Sequence, residues 1–381
     1  MSSIFVYRNC FTGDVSGGDM HTGGASEWID TNHPEHPLYL IHAADDGQEK
    51  AFRETRILRD ITYPDTSVKT PALMFPLRAM KANKTPLPWN PDSNVFIAGS
   101  HFIPDVWPVL GQGKKAPGAK KAVYIHHIIQ DMPRPKNFNT LMANLQEKFC
   151  FDLIKYHFDK IITVNQDVVD GLRRRGFTQP ILVSSNFVND HNIQPVAYEN
   201  KEITFAFVGR LVNQKGINDF LYVCEQLQPY IPGFKAVMIG AGPEMDRIKR
   251  QIEAKKLNIE VTGFVTESRK FELLAQSKLF IFPSVEEGWG IVIAESLSVG
   301  TPVIAYDLPV YKEPFGSVIK TVPLSDKEKL TEMVKHQLVT YQKNPAQYGN
   351  EQLSLLRRAT MYSRDTVVGK EFAFLMGDID E

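Results

Sequence analysis

Short continuous apolar runs recur along this chain, and the stretches between them bring an apolar residue back at helical spacing. In the first half the runs are Ser3–Arg8, Leu38–Ala43, Val95–Ser100, Ala122–His127, Ile161–Asn165 and Ile181–Ser185. Runs of this kind predict strands buried on both faces, as in parallel sheets. Leu141, Leu145, Phe149 and Ile154 predict a helix over Asn139–Phe158. The second half repeats the alternation, with runs at Ile203–Val208, Lys235–Ile239, Ile259–Thr262, Leu279–Phe282, Pro302–Tyr306 and Val318–Val322. Helical patterns fill the gaps at about 217–228, 243–256, 268–276, 290–298 and 325–342. The proline-rich segment 62–92 shows neither period.

Alternation of this kind predicts an α/β chain of two Rossmann-like doubly wound domains facing a cleft. The boundaries fall at 1–190 and 200–361, joined near Phe187–Asn200. The apolar run Phe372–Met376 predicts that the tail, 362–381, returns to the first domain. In open parallel sheets ligands bind beyond the carboxyl ends of the strands, so the chemistry is sought in the loops that follow each strand.

Composition narrows the functional classes. The 381 residues carry 43 Lys+Arg against 44 Asp+Glu, and 43% are hydrophobic. That balance speaks against a nucleic-acid binder and against disorder. Cys10, Cys150 and Cys224 lie far apart and suggest reduced thiols. The start MSSIFVYRNC lacks the pattern of a signal peptide, and no apolar run is long enough to cross a bilayer. A cytoplasmic protein is expected. From Thr66 to Lys136, however, ten basic residues meet three acidic ones. This excess suggests peripheral contact with the inner face of an anionic membrane, or attraction of a lipid-pyrophosphate acceptor, unless it is an ordinary solvated face.

Four loops at strand ends carry candidate chemistry. In Phe207–Gly216 a strand ends at Gly209, and Arg210 and Lys215 stand before a helix. Two cations beside a helix N-terminus form an anion site. The turn Ile239–Glu244, sequence IGAGPE, is glycine-rich, but Met245 breaks a dinucleotide fingerprint, and the turn reads equally as tight packing. In Phe282–Ser296, Glu287 stands at the mouth of a helix and Glu295 inside it, with Gly288, Trp289, Gly290 and Ile291 in the turn. A carboxylate among apolar residues needs a partner, and ribose hydroxyls would serve. In Ser16–Ala25, two glycine pairs suggest a flexible loop able to wrap a phosphate or sugar, with Gly17 and Gly18 closest to the first strand.

At these residues the chain resembles the retaining glycosyltransferases of family 4, which have the GT-B fold. The resemblance rests on GRLVNQKG, the GAGPE turn, EVTGFV and PSVEEGWGIVIAESLSVGTPVIA, and covers about residues 160–310. The last string carries the family's two glutamates, Glu287 and Glu295, with seven residues between them. Trp289 replaces the commoner Phe and Asn165 the commoner Ser.

The resemblance implies transfer of a hexose from a UDP- or GDP-sugar to a glycan or lipid-linked acceptor, with retention. In that reading Arg210, Lys215 and the N–H groups of Gly290 and Ile291 hold the diphosphate, Glu287 the sugar hydroxyls and Glu295 the ribose. Gly209, Gly288 and Trp289 complete the donor site. Gly17 and Gly18 approach the diphosphate from the first domain. His126 or His127, with His126 preferred, faces the donor sugar, while His21 and His101 are candidates on the acceptor side. The only DxD triplet, Asp378–Asp380, lies in the tail, so no metal and no cofactor beyond the sugar nucleotide is expected. The alternatives are another GT-B enzyme, such as a nucleotide-sugar epimerase or a phosphorylase, and a non-catalytic sugar-nucleotide binding protein.

Overall fold

A computed structural model of the chain describes residues 2–10, 17–44, 59–66, 71–88, 94–131, 138–189, 193–379. The chain divides into two compact units, Met1–Asn186 with Arg364–Glu381, and Phe187–Ser363. Each is built on one wholly parallel sheet.

In the first unit the strands are β1 (Ser3–Tyr7), β2 (Leu38–Ala44), β3 (Asp60–Pro64), β4 (Asn94–Ala98), β5 (Lys120–Ile125), β6 (Lys160–Thr163) and β7 (Ile181–Val183). They are ordered β3-β2-β1-β4-β5-β6-β7. Ile4 registers with Leu38 on one side and Val95 on the other. Every residue of β1 and β4 is buried, which is why these strands read as unbroken apolar runs.

The segment 62–92 resolves into the end of β3 and a helix, Pro71–Lys84. Two of its prolines sit where the backbone tolerates them. Pro64 closes an edge strand, and Pro71 opens the helix, where the missing N–H costs nothing.

One expectation is corrected. The glycine pairs of 16–25 do not form a flexible loop, because residues from Gly17 onward belong to a helix, Gly17–Asn32. Gly17 and Gly18 are its first turn, and Ser16 lies outside the described residues. On this helix packs the C-terminal helix Arg364–Met376. Arg364 donates to Glu27 at 2.6 Å, and Trp28 Nε1 donates to Asp365 at 2.6 Å.

The second unit has β8 (Ile203–Val208), β9 (Ala236–Ile239), β10 (Ile259–Gly263), β11 (Ser277–Phe282), β12 (Val303–Tyr306) and β13 (Lys320–Val322), ordered β10-β9-β8-β11-β12-β13. Three of its helices start on side chains that cap them. Thr266 Oγ1 accepts from Arg269 N, Asp326 from Lys329 N and Asn344 from Gln347 N. The strand order reverses between β8 and β11, as it does between β1 and β4 in the first unit. Crevices at such switch points are where open α/β sheets hold ligands.

Candidate functional site

In the second unit the loops after β8 and β11 meet at the switch point. Gln214 O accepts from Val285 N at 2.9 Å and from Ser284 Oγ at 3.2 Å. Gly216 turns the first loop into its helix with φ +71°, and an added Cβ would sit 1.8 Å from Pro283 O. Only glycine allows that approach. The turn after β9 is tied in as well. Gly209 N donates to Ile239 O, Leu211 N to Ala241 O and Glu244 N to Leu211 O. The IGAGPE turn therefore serves close packing, the plainer of its two readings.

This scaffold brings Lys215 to Glu287, Nζ to Oε1 at 2.5 Å, from positions 72 apart in sequence. The pair is only partly exposed, 26% for the lysine side chain and 11% for the glutamate, so it keeps more of its strength than a surface pair. Burial pushes the Tyr311 phenol above its ordinary range, and the Glu287 charge pushes it further. Arg210 stands exposed on the same loop as Lys215.

Gly288 has open space where a side chain would project. Gly290, at φ +101°, is the N-cap of the helix Ile291–Ser298 and supplies no side-chain cap. The first N–H groups of such a helix lack intrahelical partners and favour an anion.

Two residues expected at the donor site have partners within the protein. The Trp289 side chain is turned into the core, 5% exposed, with Phe315 at 5.1 Å and Tyr362 at 5.3 Å between ring centroids. Its size and apolar surface pack the turn against the core. Glu295 does not depend on ribose for a partner. Lys270 Nζ lies 2.7 Å from Glu295 Oε1 and 2.7 Å from Glu267 Oε1. Burial disfavours the Lys270 charge, but Glu295 and Glu267 outweigh it and hold the ammonium above the usual lysine range. Nothing local in the sequence marks Lys270, which belongs to a different helix, Glu267–Ala275.

The first unit holds a second cluster. His126 follows β5, with its Nε2 buried and without a hydrogen-bond partner. Its ring stacks on Tyr124 at 5.9 Å and meets the edge of His21 at 6.0 Å. Burial, with the neighbouring His21, His127 and His101, pushes its pKa well below the ordinary value, so the imidazole is neutral.

Beneath it lies Glu371 of the C-terminal helix, wholly buried. One carboxylate oxygen meets His21 Nε2 at 2.7 Å, and the other accepts from Tyr124 OH at 2.8 Å. His21 is thus buried and paired within the first unit's core. So is His101, 1% exposed, with Nε2 3.1 Å from Glu147. Glu147 also accepts from Ile129 N and Gln130 N, and these bonds, with His101, keep its carboxyl below the usual range despite burial. The sequence reading missed Glu147 and Glu371, although a glutamate amid apolar helix residues is a signal for a buried pair.

Comparison with known proteins agrees with this architecture. Residues 189–335 match the family model described as glycosyl transferases group 1. The fold is GT-B, and the family match lies within the second unit. The chain is 24% identical over 267 residues to an alpha-galactosylglucosyldiacylglycerol synthase of Streptococcus pneumoniae, covering 65% of this chain and 68% of that protein. It is 26% identical over 243 residues to a poly(ribitol-phosphate) alpha-N-acetylglucosaminyltransferase of Staphylococcus aureus, covering 57% of this chain and 48% of that one. Among solved structures, Anabaena Alr3699/HepE in complex with UDP superposes with TM-score 0.71 at 16% identity over the full length of both chains.

Proposed function

We propose that the protein is a retaining glycosyltransferase. In this reading it moves a hexose from UDP- or GDP-hexose to a glycan or lipid-linked acceptor in surface polysaccharide or glycoconjugate synthesis. The observation that carries the reading is the Lys215–Glu287 pair, set beside a glycine-capped helix N-terminus at the switch point of a parallel sheet. The names of the relatives, an alpha-galactosylglucosyldiacylglycerol synthase and a poly(ribitol-phosphate) alpha-N-acetylglucosaminyltransferase, support the acceptor class.

The chemistry follows from charge. Breaking the bond between the anomeric carbon and the diphosphate leaves its electron pair on a phosphate oxygen. Negative charge grows there as the sugar becomes oxocarbenium-like. Lys215, Arg210 and the N–H groups of Gly290 and Ile291 stabilise that charge. Glu287 orients both Lys215 and the sugar hydroxyls. Glu295, anchored by Lys270, frames the ribose, and neutral His126 of the first unit serves the sugar as a hydrogen-bonding group.

The acceptor hydroxyl enters on the face the diphosphate leaves, which preserves configuration, and its proton passes to the departing phosphate. Fixed cations supply the neutralisation, so the reaction proceeds without a metal. The enzyme works in the cytoplasm and touches the inner membrane face peripherally.

Thermal-shift titration with UDP, GDP and ADP tests the donor site. Saturation to a hundredfold over Kd adds about 2.7 kcal/mol of stability. One nucleotide is expected to shift the protein and to lose most of its effect in Lys215→Ala. No shift with any of them would contradict the reading.

A further inference from the structure

Three helices of the first unit, Pro71–Lys84, Ile103–Gly113 and Phe138–His157, link β3 to β4, β4 to β5 and β5 to β6. All three crossovers run the same way across the sheet, so right-handed connections place them on one face. They pack in that order.

The outward stripe of a helix on a globular protein is normally polar. Here it is apolar. Leu73, Leu77 and Met80 are exposed on the first helix, and Trp107 on the second. Leu141, Leu145 and Phe149 are exposed on the third, with Met142 beside them and Tyr156 74% exposed further along. Steps of three and four keep each set on one side of its helix. The inward stripes are filled separately, by Ala79 and Ala82 on the first helix and by Cys150, Phe151 and Ile154 on the third. The outward residues are therefore not needed by the core, and a patch of this kind marks a binding surface.

The charge on this face selects the occupant. Lys84, Lys114, Lys115 and Lys148 are exposed around the stripes. Arg78, the one arginine described on these helices, is buried, its guanidinium on Asp65. Protein interfaces favour arginine and are depleted in lysine. Lysine with Leu, Trp and Tyr is the composition of a surface that lies on anionic lipid. Among the described residues of these helices and the turns that follow them, exposed carboxylates are few. Asp152 lies on the third helix, and Asp159 is 3.7 Å from Lys121. Between the second and third helices opens a depression of about 520 Å³, lined by Trp107, Leu110 and Leu153 together with Lys114, Lys121 and His157. Its apolar walls and cations match a phospholipid's glycerol region and phosphate.

We propose that this face docks the protein on an anionic phospholipid bilayer through its apolar stripes and lysines. The proposal deepens the peripheral contact named above and rests on that reading only for the leaflet involved. Flotation of the full chain with phosphatidylcholine vesicles, with and without phosphatidylglycerol, tests it. Binding is expected only with phosphatidylglycerol and should weaken with salt. Leu145→Glu with Phe149→Glu should abolish it. Each Lys→Gln at 84, 114, 115 or 148 should weaken it by about fivefold.

Hydrolysis of the donor in solution should be unchanged in all these variants, so failure of the donor reading and failure of docking are separable. Wild-type protein that ignores phosphatidylglycerol vesicles, or substitutions that leave flotation intact, would overturn the proposal. So would a dimer, seen by light scattering, that Leu145→Glu dissolves, because a second copy would then cover this face.

Discussion

Lys215 and Glu287 reach each other because two loops share backbone and side-chain hydrogen bonds through Gln214. In the proposed mechanism the Lys215 charge meets the leaving group most strongly once the bond is breaking. Lys215→Ala should therefore lower kcat by roughly a hundredfold or more while KM changes little, as steady-state kinetics would show. An unchanged kcat with a raised KM would assign Lys215 to ground-state binding.

A second residue ties stability to pH. Lys201 is buried, and its Nζ donates to the carbonyls of Ala275 at 2.5 Å and Ser277 at 3.0 Å, with no carboxylate among its hydrogen-bond partners. Burial pushes its pKa down to about 7. Between pH 7 and the ordinary lysine range the unfolded chain binds the proton and the folded chain does not. This group's contribution to stability therefore rises with pH through that window, and its penalty is fully present below it. Denaturant unfolding should show a slope of at most about 1.4 kcal/mol per pH unit from this group, absent in Lys201→Met.

Glu295 shows how far the sequence reaches at this scale. A carboxylate among apolar residues announced a partner. The identity of that partner, Lys270 on another helix, depends on tertiary placement that no local pattern encodes.

At the scale of elements, strands buried on both faces were legible because apolar continuity is their own signature. The expected strands all appear within a few residues of their predicted limits. The strand that escaped, β3, lies at the sheet edge, where four of its five residues are not buried, so no apolar run forms, and Pro64 ends it. The helix Pro71–Lys84 escaped because its outward face is apolar and Pro76 stands inside it, which together hide the helical period. The glycine pairs misled in the opposite direction. Flexibility is what glycine permits, and here its neighbours and the tail helix hold it in a helix.

Element joints give direct tests. Gly216→Ala places a methyl against Pro283 O and strains a left-handed backbone, so stability should fall by about 3 kcal/mol or more in denaturant unfolding. Gly233→Ala has a comparable φ of +68° but open space around it, and should cost much less. Glu371→Ala leaves His21 and Tyr124 facing an emptied buried site. The first unit should lose about 3 kcal/mol, and amide exchange should accelerate along Arg364–Met376.

At the scale of the molecule, two parallel sheets with reversed strand order each present a cluster at the switch point: Lys215, Glu287 and the Gly290 helix mouth in one unit, His126 with His21, Tyr124 and Glu371 in the other. The central claim is that the first set drives departure of a diphosphate with retention and without a metal. The direct measurement is proton NMR of the reaction of each UDP- and GDP-hexose, in EDTA, with wild type and Lys215→Ala. The account predicts that wild type consumes one donor and that the sugar first appears with the donor's own anomeric configuration. Lys215→Ala should leave that donor intact on the same timescale. An inverted product, strict dependence on added Mg²⁺, or equal consumption by the variant would contradict it.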